Sequence, residues 1–242
     1  YMGLYKLQPG RLANGRPVWR KVGGDDCFLA FSGAAWMVQP EASLGSMGGF
    51  ISVTDISATP DLCEAAWEVA TEGTWHTDAS LRCVEADAAE LPPPAALRLR
   101  VDGVDGIDLV ASGLYKLERD RQVAGRPVWR HVAVPDRWLA FGDGSWFVQP
   151  SASLGQRAGW YALDDASCAF PHLSSVAWKA AQLEGVSARR WQPQQRVSCE
   201  EADASELPPP AALRLQGVTH EKAVEYMGLY KLQPGRLANG RP

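Results

Sequence analysis

The stretch ELPPPAALRLRV at residues 90–101 returns as ELPPPAALRLQGV at residues 206–218. Three consecutive prolines hold a backbone in polyproline II conformation and offer no N–H, so neither triplet can sit in a central strand. The residues that follow each triplet alternate apolar and polar, the period of a half-buried strand. Each such strand stands ahead of a module rather than closing one. It is either a linker or the first strand of the module that follows it. We prefer the second reading, because a module can then accept a strand from the unit before it, as in β-augmentation.

The two ends of the sequence point the same way. Residues 1–17 and 226–242 are identical at all 17 positions, and residues 111–127 keep nine of them. A loose period of about 110 residues and a strict one of 225 are therefore superposed, as in a window on a longer array. The expected units are a β module at 1–95 without its lead-in strand and a second module at 96–210. The second begins with its lead-in strand at 96–101. Residues 211–242 supply a further lead-in strand and the start of the next repeat. Modules of about 110 residues are of ordinary domain size.

Between these landmarks the chain reads as β throughout. Short β-branched or aromatic runs recur with Gly, Pro, Asn or Asp between them. Strands are expected at 3–7, 17–22, 28–31, 36–39, 50–54, 66–70 and 80–85. In the second module they are expected at 113–117, 127–132, 138–141, 146–149, 160–163 and 197–200. Asn14-Gly15 is a strong hairpin signal and Ala124-Gly125 a weaker one. Residues 60–69 and 171–183 leave a short helix and a strand both open. The expected fold class is all-β: two tandem antiparallel modules, each a small sandwich or barrel, joined by Pro-rich connectors.

Hydrophobic residues make up 46% of the chain and charged residues 21%, ordinary values for a globular protein. A net charge of −4 with no basic cluster argues against nucleic acid as a partner. No apolar run approaches the ~18 residues of a membrane span, so membrane insertion is not expected.

Catalysis needs a nucleophile–base pair, a carboxylate pair or a metal cluster. None of His76, His131, His172 and His220 has a histidine at the matching place in the other module. Asp102, Asp105 and Asp108 have the look of a calcium loop, but their counterpart keeps no such spacing, and a linker turn is the better reading. No catalytic, cofactor or metal site is therefore expected, and no enzyme activity.

The ten tryptophans are the strongest compositional signal. Trp19/Trp129, Trp36/Trp146, Trp67/Trp178 and Trp75/Trp191 occupy matching columns, and Phe28/Trp138 and Phe50/Trp160 exchange Phe for Trp. Core packing explains most of them, since each Trp buries ~150–250 Å². Trp75 and Trp191 are the candidates for stacking on a glycan. Cys83 aligns with Cys199, and each module has one more cysteine nearby, Cys63 and Cys168. One disulfide per module is expected, Cys63–Cys83 and Cys168–Cys199, with reduced buried thiols as the other reading. Cys27 has no counterpart and is either a free thiol or a link to a neighbouring chain.

Gly3, Tyr5, residues 14–19 (NGRPVW), Trp36, Gly49, Pro60, Trp67, Trp75 and the lead-in LRLRVDG together resemble a little-characterised β-rich module. Such modules are repeated many times in large secreted or multidomain proteins of algae and other protists. The resemblance covers nearly all of both modules and implies no catalytic site. It implies that the contiguous prolines Pro92, Pro93 and Pro94, and Pro208, Pro209 and Pro210, are candidates for hydroxylation and O-glycosylation. Asn14 and Asn239 are both followed by Gly-Arg, with no Ser or Thr at the second position after Asn, so no N-glycosylation sequon exists.

The expected role is a structural or adhesive repeat unit of an extracellular or cell-surface fibre, filament or matrix. Its partners would be copies of itself, joined in tandem or head to tail by strand donation. The alternative is a multivalent carbohydrate-binding protein with polysaccharide as partner.

Overall fold

The computed structural model describes residues 1–24, 26–102, 111–184, 188–194, 196–210, 212–215 and 228–233. Asp105, Asp108 and His220 lie outside them. The chain divides into two units, Tyr1–Pro92 and Pro93–Pro242. Both are all-β, built from strands and three-residue 3₁₀ turns.

Unit 1 is a seven-stranded antiparallel meander: β1 (Tyr5–Ala13), β2 (Arg16–Lys21), β3 (Phe28–Phe31), β4 (Trp36–Gln39), β5 (Ile51–Val53), β6 (Glu68–Thr71) and β7 (Thr74–Thr77), in that order across the sheet. Unit 2 repeats this meander as β9 (Gly113–Val123), β10 (Arg126–His131), β11 (Trp138–Gly142), β12 (Ser145–Gln149), β13 (Tyr161–Leu163), β14 (Trp178–Glu184) and β15 (Ala188–Gln194). It adds β8 (Ala96–Val101) and β16 (Val197–Glu201), and the nine strands run β15-β14-β13-β12-β11-β10-β9-β8-β16. The two edge strands, β15 and β16, are consecutive in the chain and joined through residues 195–196. The nine-stranded sheet is nearly closed and barrel-like. A further pair, β17 (Ala212–Leu215) and β18 (Gly228–Lys231), forms a two-stranded sheet of its own.

The repeated NGRPVW and AGRPVW stretches are explained by their geometry. Asn14 and Gly15 have φ of 49° and 76°, Ala124 and Gly125 49° and 74°, the left-handed pair that a two-residue hairpin requires. In unit 1, Asn14 Nδ2 also donates to the carbonyls of Phe31 (2.9 Å) and Gly45 (2.7 Å), which ties the hairpin to two loops. The next arginine is a latch. The Arg16 guanidinium lies 3.9 Å over the Phe31 ring and donates to the carbonyls of Ile56 (2.7 Å) and Ser57. Arg126 does the same over Phe141 at 3.7 Å, with the carbonyls of Ala166 (2.6 Å) and Cys168. A planar cation with several donors can stack and bond simultaneously, which lysine cannot.

Each core is built on the tryptophan columns. Trp36 and Trp146 are fully buried and donate Nε1 to the carbonyls of Ser57 (2.9 Å) and Cys168 (3.3 Å). In unit 1 Trp36 packs with Leu29, Phe31, Val38, Ile51, Val53 and Trp67. His131 is buried and structural: its Nδ1 accepts from the N–H groups of Ala133 and Val134, both at 3.0 Å, so its Nε2–H faces the Ser112 carbonyl at 3.1 Å.

Three expectations need revision. The segments that left helix and strand open hold three-residue 3₁₀ turns, Pro60–Leu62 and Pro171–Leu173, followed by β-hairpins. The Ala-rich composition near 180 does not make a helix because Trp178–Glu184 pairs along its whole length with β15. Most telling, residues 80–85 form no strand, although their counterpart is β16. The reason is the absent neighbour: β16 exists because β8 pairs with it over five residues, and unit 1 has no β8.

Candidate functional site: an open strand position in the first unit

In unit 2 the lead-in strand is completely absorbed. β8 pairs antiparallel with β9 on one side (Ala96↔Lys116 to Leu99↔Gly113) and with β16 on the other (Leu97↔Glu201 to Val101↔Val197). Leu97 and Leu99 are 0% exposed, and Tyr115 and Trp129 behind them are buried as deeply. Trp129 Nε1 donates to the Pro94 carbonyl at 2.8 Å, so the polyproline segment forms part of the lid. On the outer face Arg98 pairs with Glu206, and Arg100 binds Glu200 Oε1 through Nε (2.9 Å) and Nη2 (2.6 Å).

Unit 1 has every part of this arrangement except the strand. No described strand pairs with the outer edge of β1. Between β1 and residues 81–85 lies a cavity of about 800 Å³, lined by Tyr5, Trp19, Leu29, Ile51, Trp67 and Leu81 among others. Tyr5 and Trp19, the counterparts of buried Tyr115 and Trp129, are only half-buried, and Leu7 and Val84 are exposed. The receiving turn is already formed. Asp87 caps residues 88–90 and Glu90 caps Asp87 in return, the same reciprocal box that Asp203 and Glu206 make in unit 2. Glu206 pairs with Arg98, whereas among the described residues Glu90 has no ion-pair partner.

The matching strand is β17. It pairs with β18 as Ala212↔Lys231, Leu213↔Tyr230, Arg214↔Leu229 and Leu215↔Gly228, the register of β8 on β9 residue for residue. The residues of β18, GLYK, are those of 3–6. Leu213 is 60% exposed where Leu97 is 0% exposed.

The remaining candidates distribute as follows. Cys27 is buried and its Sγ lies 3.4 Å from the Tyr5 hydroxyl, which also donates to the Tyr1 carbonyl at 2.6 Å. Burial, then the Cys27 contact, pushes the Tyr5 phenol well above its ordinary range. All five cysteines are free thiols. Cys63 and Cys83 both pack on the unit 1 core. Burial, then the charge of Asp55, pushes Cys63 up to about 11, and burial raises Cys83, Cys168 and Cys199 as well. A thiol held protonated is a poor nucleophile, so none of these four is an activated cysteine. Trp75 is 38% exposed on β7, whereas Trp191 is half-buried with its ring 5.8 Å from that of Phe147. Pro92 is exposed, Pro93 half-buried and Pro94 buried, while Pro208, Pro209 and Pro210 are all exposed. No group of three or more His, Cys, Asp or Glu among the described residues is placed to hold a metal ion.

Comparison of the chain with protein-family models, with curated proteins and with solved structures gives no match.

Proposed function

We propose that this chain is a structural or adhesive repeat unit, and that its working site is the open strand position of unit 1. One observation carries the reading: the place that β8 fills in unit 2 is an apolar groove in unit 1, and the chain carries a second strand of the same sequence and register in β17. Joined in this way, units form a linear array, either along one continuous chain or between chains. An extracellular or cell-surface fibre or matrix is the setting in which such an array belongs.

The test is the mass of the 242-residue chain in solution over a range of concentrations, with and without reductant. Growth into a ladder of oligomers that survives reduction supports assembly through strands. A single species of one chain's mass at every concentration refutes it between chains.

A second reading, carbohydrate binding, rests on Trp75, an exposed indole on an edge strand. Quenching of its fluorescence by a soluble polysaccharide supports that reading, and a flat titration removes it.

A further inference from the structure

We propose that the groove of unit 1 discriminates between the two lead-in strands of this chain and accepts the sequence of residues 212–217 in preference to that of β8. The proposal rests on the strand-donation reading above and adds a rule of selection to it. The occupant is a second copy's β17 with the residues that follow it.

The rule comes from three positions that change together. In unit 2, β8 places Arg98 across from Glu200 and Arg100 across from Ser198, and both arginines are neutralised by glutamates. With Cys83 set against Cys199, residue 84 takes the place of Glu200 and residue 82 that of Ser198; they are Val84 and Arg82. Both are exposed, Val84 at 66%. The groove of unit 1 has therefore lost the carboxylate that binds Arg100 and gained a cation where Ser198 stood. A strand reading Leu-Arg-Leu-Arg in this groove sets its second arginine directly across from Arg82, and like charges facing each other across a strand pair are unfavourable.

The second lead-in sequence removes that conflict. Where β8 has Arg100, the chain has Gln216, and where β8 has Arg98 it keeps Arg214. The retained arginine suits the groove equally well, because Glu90, the counterpart of Glu206, is already positioned by its capping turn. Leucines at 213 and 215 match Leu97 and Leu99, the two side chains that fill the core in unit 2. One charge is thus kept on both sides of the interface and the other is dropped on both sides. Rejection of the wrong strand comes from a built-in repulsion, which is how specificity is obtained when the attractive contacts are shared. The consequence is phase: a unit 1 groove follows a 206–218 connector, and the two kinds of unit alternate without slipping.

The experiment uses the full 242-residue chain carrying Leu213→Glu, so that its own β17 cannot compete. Two fluorescent peptides are titrated against it, PAALRLQGVTH (residues 210–220) and PAALRLRVDGV (residues 94–104), with anisotropy as the readout. The first is expected to bind about tenfold tighter, on the order of two cross-strand pair energies. Arg82→Ser with Val84→Glu gives the groove the unit 2 residues at exposed positions. In that background the preference is expected to disappear or reverse. Equal binding of the two peptides, or a ratio unmoved by the double substitution, overturns the selection rule while strand donation stands. Binding of neither peptide up to millimolar concentration, the effective concentration of a tethered strand, overturns both.

Discussion

Leu97 and Leu213 occupy the same place in two copies of one strand, and the same substitution should have opposite consequences. Leu97 is 0% exposed between β9 and β16, so Leu97→Ala removes a leucine from a closed core. Truncations of this kind cost about 2–5 kcal/mol, depending on how far the site can collapse. Leu213 is 60% exposed on β17, and surface substitutions away from special features change stability by about 0.5 kcal/mol or less. Urea unfolding followed by tryptophan fluorescence, at concentrations where only single chains are present, should therefore shift for Leu97→Ala and not for Leu213→Ala. The order reverses for association. If β17 enters the groove of another unit 1, its leucine becomes as buried as Leu97. Leu213→Ala should then weaken assembly by the same about 2–5 kcal/mol, roughly 30-fold to several-thousand-fold in dissociation constant. Sedimentation velocity reads this directly. Equal destabilisation of the single chain by both variants, or unchanged assembly of Leu213→Ala, would refute the reasoning.

Trp129→Phe leaves the Pro94 carbonyl without its Nε1–H donor and should cost about 1–3 kcal/mol in unit 2; Trp19, which is only half-buried, should tolerate the same change far better, as paired urea melts will tell. Asp164 is held below its ordinary value of 3.8, chiefly by its hydrogen bond from Lys179 (2.6 Å) and then by Ser145, and Asp55, Asp78, Asp136, Asp165 and Asp203 are lowered too. A carboxylate whose folded value is depressed stabilises fully above its unfolded value and loses that stability as pH falls through the folded one. Melting temperature should therefore hold down to about pH 4–5 and drop below it, and the drop should be smaller in Asp164→Asn. In oxidising buffer Cys63–Cys83 should form in preference to pairs with buried Cys27, closing a loop of about 20 residues and adding roughly 3 kcal/mol to unit 1; non-reducing peptide mapping that finds Cys27 in the bond contradicts this.

The meander strands other than β7, β14 and β15 were legible because each carries its own signal, aromatic and β-branched runs bounded by turn residues such as Asn14-Gly15 and Ala124-Gly125; β7 and β15 were not among the expected strands. What sequence alone obscured was any element whose structure depends on a distant neighbour. Residues 80–85 and 197–201 read alike, yet only the second are a strand, because only they have β8 alongside. Likewise Trp178–Glu184 contains an alanine pair that favours helix locally, and its seven-residue pairing with β15 decides otherwise. The groove itself left a faint trace in the sequence. Val84 for Glu200, Arg82 for Ser198 and Gln216 for Arg100 are unremarkable one by one. They acquire meaning only when the register of β8 against β16 brings their counterparts face to face.

Whether β17 acts between molecules or within one depends on tethering, and the magnitudes show why. Burying two leucines contributes about 3–6 kcal/mol, while bringing two free molecules together costs about 4–15 kcal/mol. The pairing with β1 adds little to either side, because the strand gives up Gly228–Lys231 for identical residues in the same register. A four-residue, two-stranded sheet is marginal in water, so β17 is cheaply released. A donor free in solution should therefore bind weakly, and the same donor joined to its acceptor should close the groove fully at an effective concentration near millimolar. Residues 208–225 placed directly ahead of Tyr1 create that tether with the natural junction, since residue 226 repeats Tyr1. In this extended chain Tyr5 and Trp19 should become buried, residues 81–85 should become a strand protected from hydrogen exchange, and unit 1 should unfold at higher urea. An extended chain whose unit 1 melts no later than before, with Trp19 fluorescence still that of a half-exposed indole, would mean that the groove is not a strand site.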